Sequence, residues 1–105
     1  MNFGLTPSQY EFISNNVVTP LELSGANIYC YGSRARGDNR PFSDLDLMIE
    51  SAHVTSALET NISAIQEFLV NSNFSLKVDL ALFTQFAETY KDGYQKDKKL
   101  WVVKK

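Results

Sequence analysis

Two acidic residues in this chain, Asp46 and Asp79, stand where a folded protein rarely places charge, and a third, Asp44, is at the start of the same strand as Asp46 and by itself could merely begin it. Asp44 and Asp46 lie in the run Ser43-Asp44-Leu45-Asp46-Leu47-Met48-Ile49, and Asp79 interrupts Leu76-Lys77-Val78-Asp79-Leu80-Ala81-Leu82. Side chains two apart on a strand share a face, so Asp44 and Asp46 converge while Leu45, Leu47 and Ile49 point the other way. Asp79 likewise opposes Leu76, Val78, Leu80 and Leu82. If the two strands are neighbours in register, all three carboxylates meet on one surface. Carboxylates crowded in this way repel one another unless cations or protons neutralise them. An oxygen-only donor set favours Mg²⁺ or Mn²⁺, and Mg²⁺ commonly combines one or two carboxylates with substrate phosphates. Such a cluster suits in-line displacement, with one ion activating the attacking oxygen and another steadying the leaving group.

Ahead of the first acidic pair stands Gly32-Ser33. Glycine lets the backbone approach an anion, and Ser33 adds a hydroxyl and an amide, so a strand-to-helix turn here can hold the β- and γ-phosphates of a triphosphate. Arg34 or Arg36 can supply further positive charge. Simpler readings exist for each feature: Gly-Ser is common in turns, and Arg34, Arg36 and Arg40 suit a solvated loop. A helix-start or surface role suits His53, the only histidine, and Cys30 between Tyr29 and Tyr31 suits a small core residue. No comparable structural reason accounts for both Asp46 and Asp79, because an unpaired charge inside an apolar strand is costly.

Several elements must position these groups. Thr6-Pro7-Ser8-Gln9 carries a capping box with proline at the first helical position, and Leu5 and Tyr10 form the flanking hydrophobic staple. Tyr10, Ile13 and Val17 continue the helix, which is expected to end before Thr19-Pro20. Ile28 to Tyr31 is β-prone, and turn formers separate it from a strand at Asp44 to Glu50. Val54, Leu58, Ile62, Ile65 and Leu69 define an amphipathic helix that fades at Asn71-Ser72-Asn73. Leu76 to Leu82 alternates as a third strand, Thr84 is expected to cap a helix carrying Phe86 and Tyr90, and Leu100 to Val103 forms a closing strand or docked tail. The order predicts one α/β or α+β domain over residues 1–105, a mixed sheet with helices packed against it.

Bulk properties narrow the function classes. Ten basic residues against twelve acidic, with a sequence pI near 5.3, argue against extended capture of a nucleic-acid backbone. Basic residues do cluster locally, at Arg34, Arg36 and Arg40 and at Lys91, Lys96, Lys98, Lys99, Lys104 and Lys105. No apolar stretch approaches a membrane span and Met1 to Phe12 lacks a secretory pattern, which points to a cytoplasmic protein.

Gly32-Ser33-Arg34-Ala35-Arg36-Gly37, followed by Ser43-Asp44-Leu45-Asp46-Leu47, resembles the signature of minimal nucleotidyltransferases in the DNA polymerase beta superfamily, and Val78-Asp79-Leu80 is similar to its third acidic motif. The resemblance runs from the first helix to Leu100-Trp101-Val102-Val103. It implies a polymerase-beta-like fold with metal at Asp44 and Asp46, with Asp79 helping to bind metal and activate an acceptor hydroxyl, and with Gly32, Ser33 and Arg36 contacting the nucleotide. It further implies ATP as co-substrate and a small helical HEPN-like protein as partner, the chain being the antitoxin that adenylylates it. A subunit that neutralises its partner by contact alone, or an enzyme acting on a small molecule such as an antibiotic, are the competing readings.

Overall fold

A computed structural model of the chain describes residues 2–103. The N-terminal helix α1 (Pro7–Ile13) begins as its sequence dictates: Thr6 accepts from the Gln9 amide, the Gln9 side chain returns the bond, and Pro7 occupies a position where no donor is required. The chain does not stop at Thr19-Pro20. A π-helical segment (Ser14–Val18) widens the helix, the Thr19 amide reaches back to the Ser14 carbonyl, and Pro20 falls in the first turn of α2 (Thr19–Leu23). Proline is tolerated there because an N–H at the start of a helix has no partner to lose.

Four strands follow in one sheet of order β3-β2-β1-β4. Strand β1 (Asn27–Tyr31) pairs antiparallel with β2 (Leu45–Glu50), and β2 pairs parallel with β3 (Val78–Leu82). A four-residue helix, α3 (Ser33–Arg36), and a loop join β1 to β2. The parallel pair needs a crossover, which α4 (Ser56–Asn71) supplies; Thr55 caps it, and Val54 lies just outside. After β3 the chain makes a 3₁₀ turn at Phe83–Gln85 and enters α5 (Glu88–Asp97). Thr84 is therefore inside the turn and does not cap α5; Ala87 precedes that helix without a side-chain cap, since Phe86 packs against Tyr31 and Tyr94 and sets where the helix begins. Strand β4 (Lys99–Leu100) pairs with β1 and leads into Trp101.

Alternation divides the sheet into two faces. On one, Ile28, Cys30, Leu45, Leu47 and Ile49 are fully buried and join Ile13, Val17, Val18, Leu21, Leu58, Ile65 and Trp101 in the core. Trp101 stacks on Tyr10 and Phe3, and its indole N–H donates to Ser14 Oγ at 2.9 Å, so the tail is both strand-paired and docked. The other face carries Tyr29 and Tyr31 of β1, Asp46, Met48 and Glu50 of β2, and Asp79 and Ala81 of β3. Helix α5 crosses part of it, Tyr94 packing on Tyr31 and donating to Glu50. Among the described residues no helix is long and apolar enough to cross a membrane.

Candidate active site

Strand register brings the acidic residues together. Asp46 and Asp79 are direct partners across the parallel β2–β3 pair, so both carboxylates project from the same side of the sheet at the same height. The Asp46 carboxyl is pushed up to about 6, first by burial and then by the negative charges of Asp79 and Asp44. Lys77 opposes this weakly and lies 3.6 Å from the Asp79 carboxylate. Asp44 is exposed one residue ahead of β2 and acts on Asp46 through charge rather than direct contact. Among the described residues no three acidic, histidine or cysteine side chains are already gathered closely enough to enclose a metal ion. The donor set nevertheless fits a hard divalent cation: two carboxylates stand side by side in register, their mutual repulsion raising the Asp46 pKa, and a third acid lies one residue ahead of the strand.

Gly32 closes the site from β1. Its φ of 75° and ψ of −155° fall in a region essentially restricted to glycine, and a Cβ there would lie 2.7 Å from Asp46 Oδ2. The bare backbone between β1 and α3 therefore sits directly against the carboxylate that pairs with Asp79. Ser33 follows as the first residue of α3, and its carbonyl accepts from the Gly37 and Asp38 amides. A phosphate received at Gly32-Ser33 would stand beside Asp46.

The two arginines of α3 have opposite fates. Arg34 is 1% exposed and uses its guanidinium as a fork: Nε donates to the Ser43 carbonyl at 3.0 Å, Nη1 to Phe3 at 2.9 Å and Nη2 to Pro41 at 3.1 Å. It organises the loop that delivers Asp44 and is not placed to meet a substrate phosphate. Arg36 is exposed and pairs with Asp38 at 3.1 Å and with Asp97 of α5 at 2.8 Å, contacts that raise its pKa. The remaining candidates stay outside: His53 is exposed, and Cys30 is buried in the core face with its thiol pushed up to about 12 mainly by that burial. Lys98 bridges to Glu50 at 3.1 Å and Lys91 to Glu88 at 2.9 Å, while Lys104 and Lys105 lie outside the described residues.

Tyr31 is the site neighbour that residue patterns alone did not single out. It is the cross-strand partner of Asp46, and its phenol is pushed up to about 12 by burial, then by the charges of Asp46 and Asp79. The available signal was the alternation Tyr29-Cys30-Tyr31, whose outer rings share the face opposite the buried thiol. Tyr31 meets Phe86 and Tyr94 edge-on at 5.7 and 5.3 Å between centroids, and Tyr94 donates to Glu50.

The fold is a mixed sheet with two in-register acids beside a glycine-serine turn, and comparisons with known proteins identify the family. Residues 15–102 match the nucleotidyltransferase domain family, and the chain belongs to it. Among solved structures, a chain from a toxin–antitoxin crystallised with AMP-PNP superposes with a TM-score of 0.62 at 18% identity, over 86% of this chain and 73% of that one. A Sulfolobus solfataricus protein described as a nucleotidyltransferase superposes with a TM-score of 0.50 at 22% identity, over 89% of this chain and 81% of its own. These two likenesses establish the shared polymerase-beta-like fold. No curated protein sequence matches the chain.

Proposed function

We propose that this chain is a divalent-metal-dependent nucleotidyltransferase that moves AMP from ATP to a hydroxyl group on a small helical, HEPN-like partner protein, as the antitoxin of a toxin–antitoxin pair. The observation that carries the reading is the direct pairing of Asp46 with Asp79 beside the bare backbone of Gly32. Family membership supports nucleotidyl transfer, and the likeness to a toxin–antitoxin chain crystallised with an ATP analogue supports the partner and the nucleotide.

In this reading Asp44, Asp46 and Asp79 hold Mg²⁺, with Mn²⁺ as substitute, and Gly32 and Ser33 receive the β- and γ-phosphates. The metal supplies charge neutralisation at the phosphates and at the attacking oxygen when bound. The acceptor oxygen attacks the α-phosphorus, the bond to the bridging oxygen of the β-phosphate breaks, and pyrophosphate leaves. Asp79 takes the proton of the acceptor hydroxyl. Arg36 lies at the mouth of the loop, where it reaches a phosphate by exchanging its Asp97 contact.

The test is to purify the chain with the protein that co-expresses beside it and incubate both with Mg²⁺ and α-phosphate-labelled ATP. Covalent label on the partner is expected with the native acids, and Asp79→Asn is expected to lower it roughly a thousandfold while leaving the complex intact. A stable complex that takes no label from any of the four triphosphates would instead make the chain a subunit acting by contact alone.

A further inference from the structure

Outside the acids, the side of the sheet that carries them is dominated by aromatic rings, and not all of those rings are needed for packing. Tyr94 is 2% exposed and anchors α5, with Tyr31, Phe83 and Phe86 around it. Tyr90, one turn earlier on α5, is different: it is 65% exposed, yet its ring stays 6.0 Å from that of Phe86. The rings form a chain that begins at the acidic pair. Tyr31 stands across from Asp46, Phe86 lies 5.7 Å beyond Tyr31, and Tyr90 lies beyond Phe86. The exposed end of that chain of rings is Tyr90.

We infer that Tyr90, supported from behind by Phe86, is the stacking platform for the nucleobase of the bound triphosphate. This rests on the nucleotidyltransferase reading above and adds the subsite that reading leaves open. A triphosphate fixed at Gly32-Ser33 with its α-phosphorus at Asp46 and Asp79 directs its ribose away from the loop, across the same side of the sheet. The base then arrives where Tyr90, backed by Phe86, offers a ring that the core does not use. Stacking is tolerant of base identity because every base has a π face, but the larger purine covers more of the ring, so ATP and GTP should be held more tightly than CTP and UTP. The side wall carries Asp97, which engages Arg36, and Lys91, which pairs with Glu88 and lies 4.6 Å over the Phe83 ring.

Tyr90→Ala removes an exposed ring and is expected to leave the melting temperature unchanged. Binding of ATP and of inorganic tripolyphosphate is measured by calorimetry with Mg²⁺ present, for the native chain, Tyr90→Ala and Phe86→Leu. Tripolyphosphate carries the anion without the base. The platform predicts that ATP binds more tightly than tripolyphosphate to the native chain, that both substitutions weaken ATP by roughly 5- to 100-fold, and that tripolyphosphate affinity does not move. Equal loss for both ligands, or unchanged ATP affinity in both variants while the native chain binds it, overturns the platform and leaves the nucleotidyltransferase reading standing. A native chain that binds neither ligand overturns both.

Discussion

The two faces of this sheet are built from the same strands and obey opposite rules. Leu47 and Asp46 are sequence neighbours, yet the first sits in a closed apolar layer and the second faces two other carboxylates. On the closed side every polar group that burial traps is satisfied: Ser14 accepts from Trp101, Arg34 donates to three carbonyls, and among the described residues no buried side-chain nitrogen or oxygen lacks a partner. On the open side Asp46 is driven toward its protonated form by burial and by the charges of Asp79 and Asp44, which Lys77 offsets only in part. One face stores stability and the other withholds it. The difference marks the side on which a cation would relieve the most repulsion: charge that the fold leaves partly uncompensated is charge a ligand can pair with.

Arg34 gives the largest expected effect on this contrast. Arg34→Ala leaves three carbonyls without their donor and opens space beneath the loop, so the chain should lose roughly 3–5 kcal/mol in denaturant unfolding. Arg34→Lys should recover little of it, because an ammonium cannot span three acceptors as a planar fork does. Arg36→Ala, two residues on, is expected to leave unfolding unchanged, its ion pairs being solvent-exposed. Equal losses at both arginines would mean that the loop is not held by its buried charge.

That pair also marks where the sequence was legible and where it was not. Strand alternation located both acids and assigned them to the face opposite the leucines, because a period of two leaves a charge in an apolar run only one side to occupy. The capping box at Thr6 and the crossover helix were equally readable, since each depends on contacts within a few residues. Choosing between Arg34 and Arg36 was not possible from spacing: the burial of Arg34 depends on carbonyls at Phe3, Pro41 and Ser43, which only the closed loop brings together. The passage of the first helix through Pro20 was hidden for a related reason. A π segment is a local widening with no residue signature of its own, and docking by Val17, Val18 and Leu21 holds it in place. Tyr31 required knowing that it stands opposite Asp46, a register set by pairing and not by composition.

Gly32 joins the two faces and gives the next effect in size. Gly32→Ala must place a side chain at a φ of 75° and within 2.7 Å of Asp46 Oδ2, so it should lower stability by about 2 kcal/mol and push the carboxylate away from Asp79. Metal titration followed by calorimetry separates these consequences, because a loss of Mg²⁺ affinity exceeding that of Ser33→Ala would locate the damage at the acid pair. Unchanged Mg²⁺ affinity in Gly32→Ala would mean that Asp46 does not depend on the bare backbone beside it.

The smallest effect is the most direct test of stored strain. Asp46 binds a proton more tightly in the folded chain, at about 6, than an ordinary aspartate does at 3.8, so between those values folding takes up a proton. Metal-free stability should therefore rise as pH falls from 7 through 6 toward 4, and the penalty should be fully present only above the folded value. Asp46→Asn removes the charge, so its melting temperature in EDTA is expected to exceed that of the native chain by a few degrees at pH 8, with the gap closing near pH 4. Adding Mg²⁺ at pH 8 should raise the native chain and leave Asp46→Asn where it was, because neutralisation by the ion and by substitution relieve the same repulsion. A variant no more stable than the native chain at pH 8 would show that the open face carries no strain for a metal to relieve, and that Asp46 is held there by packing alone.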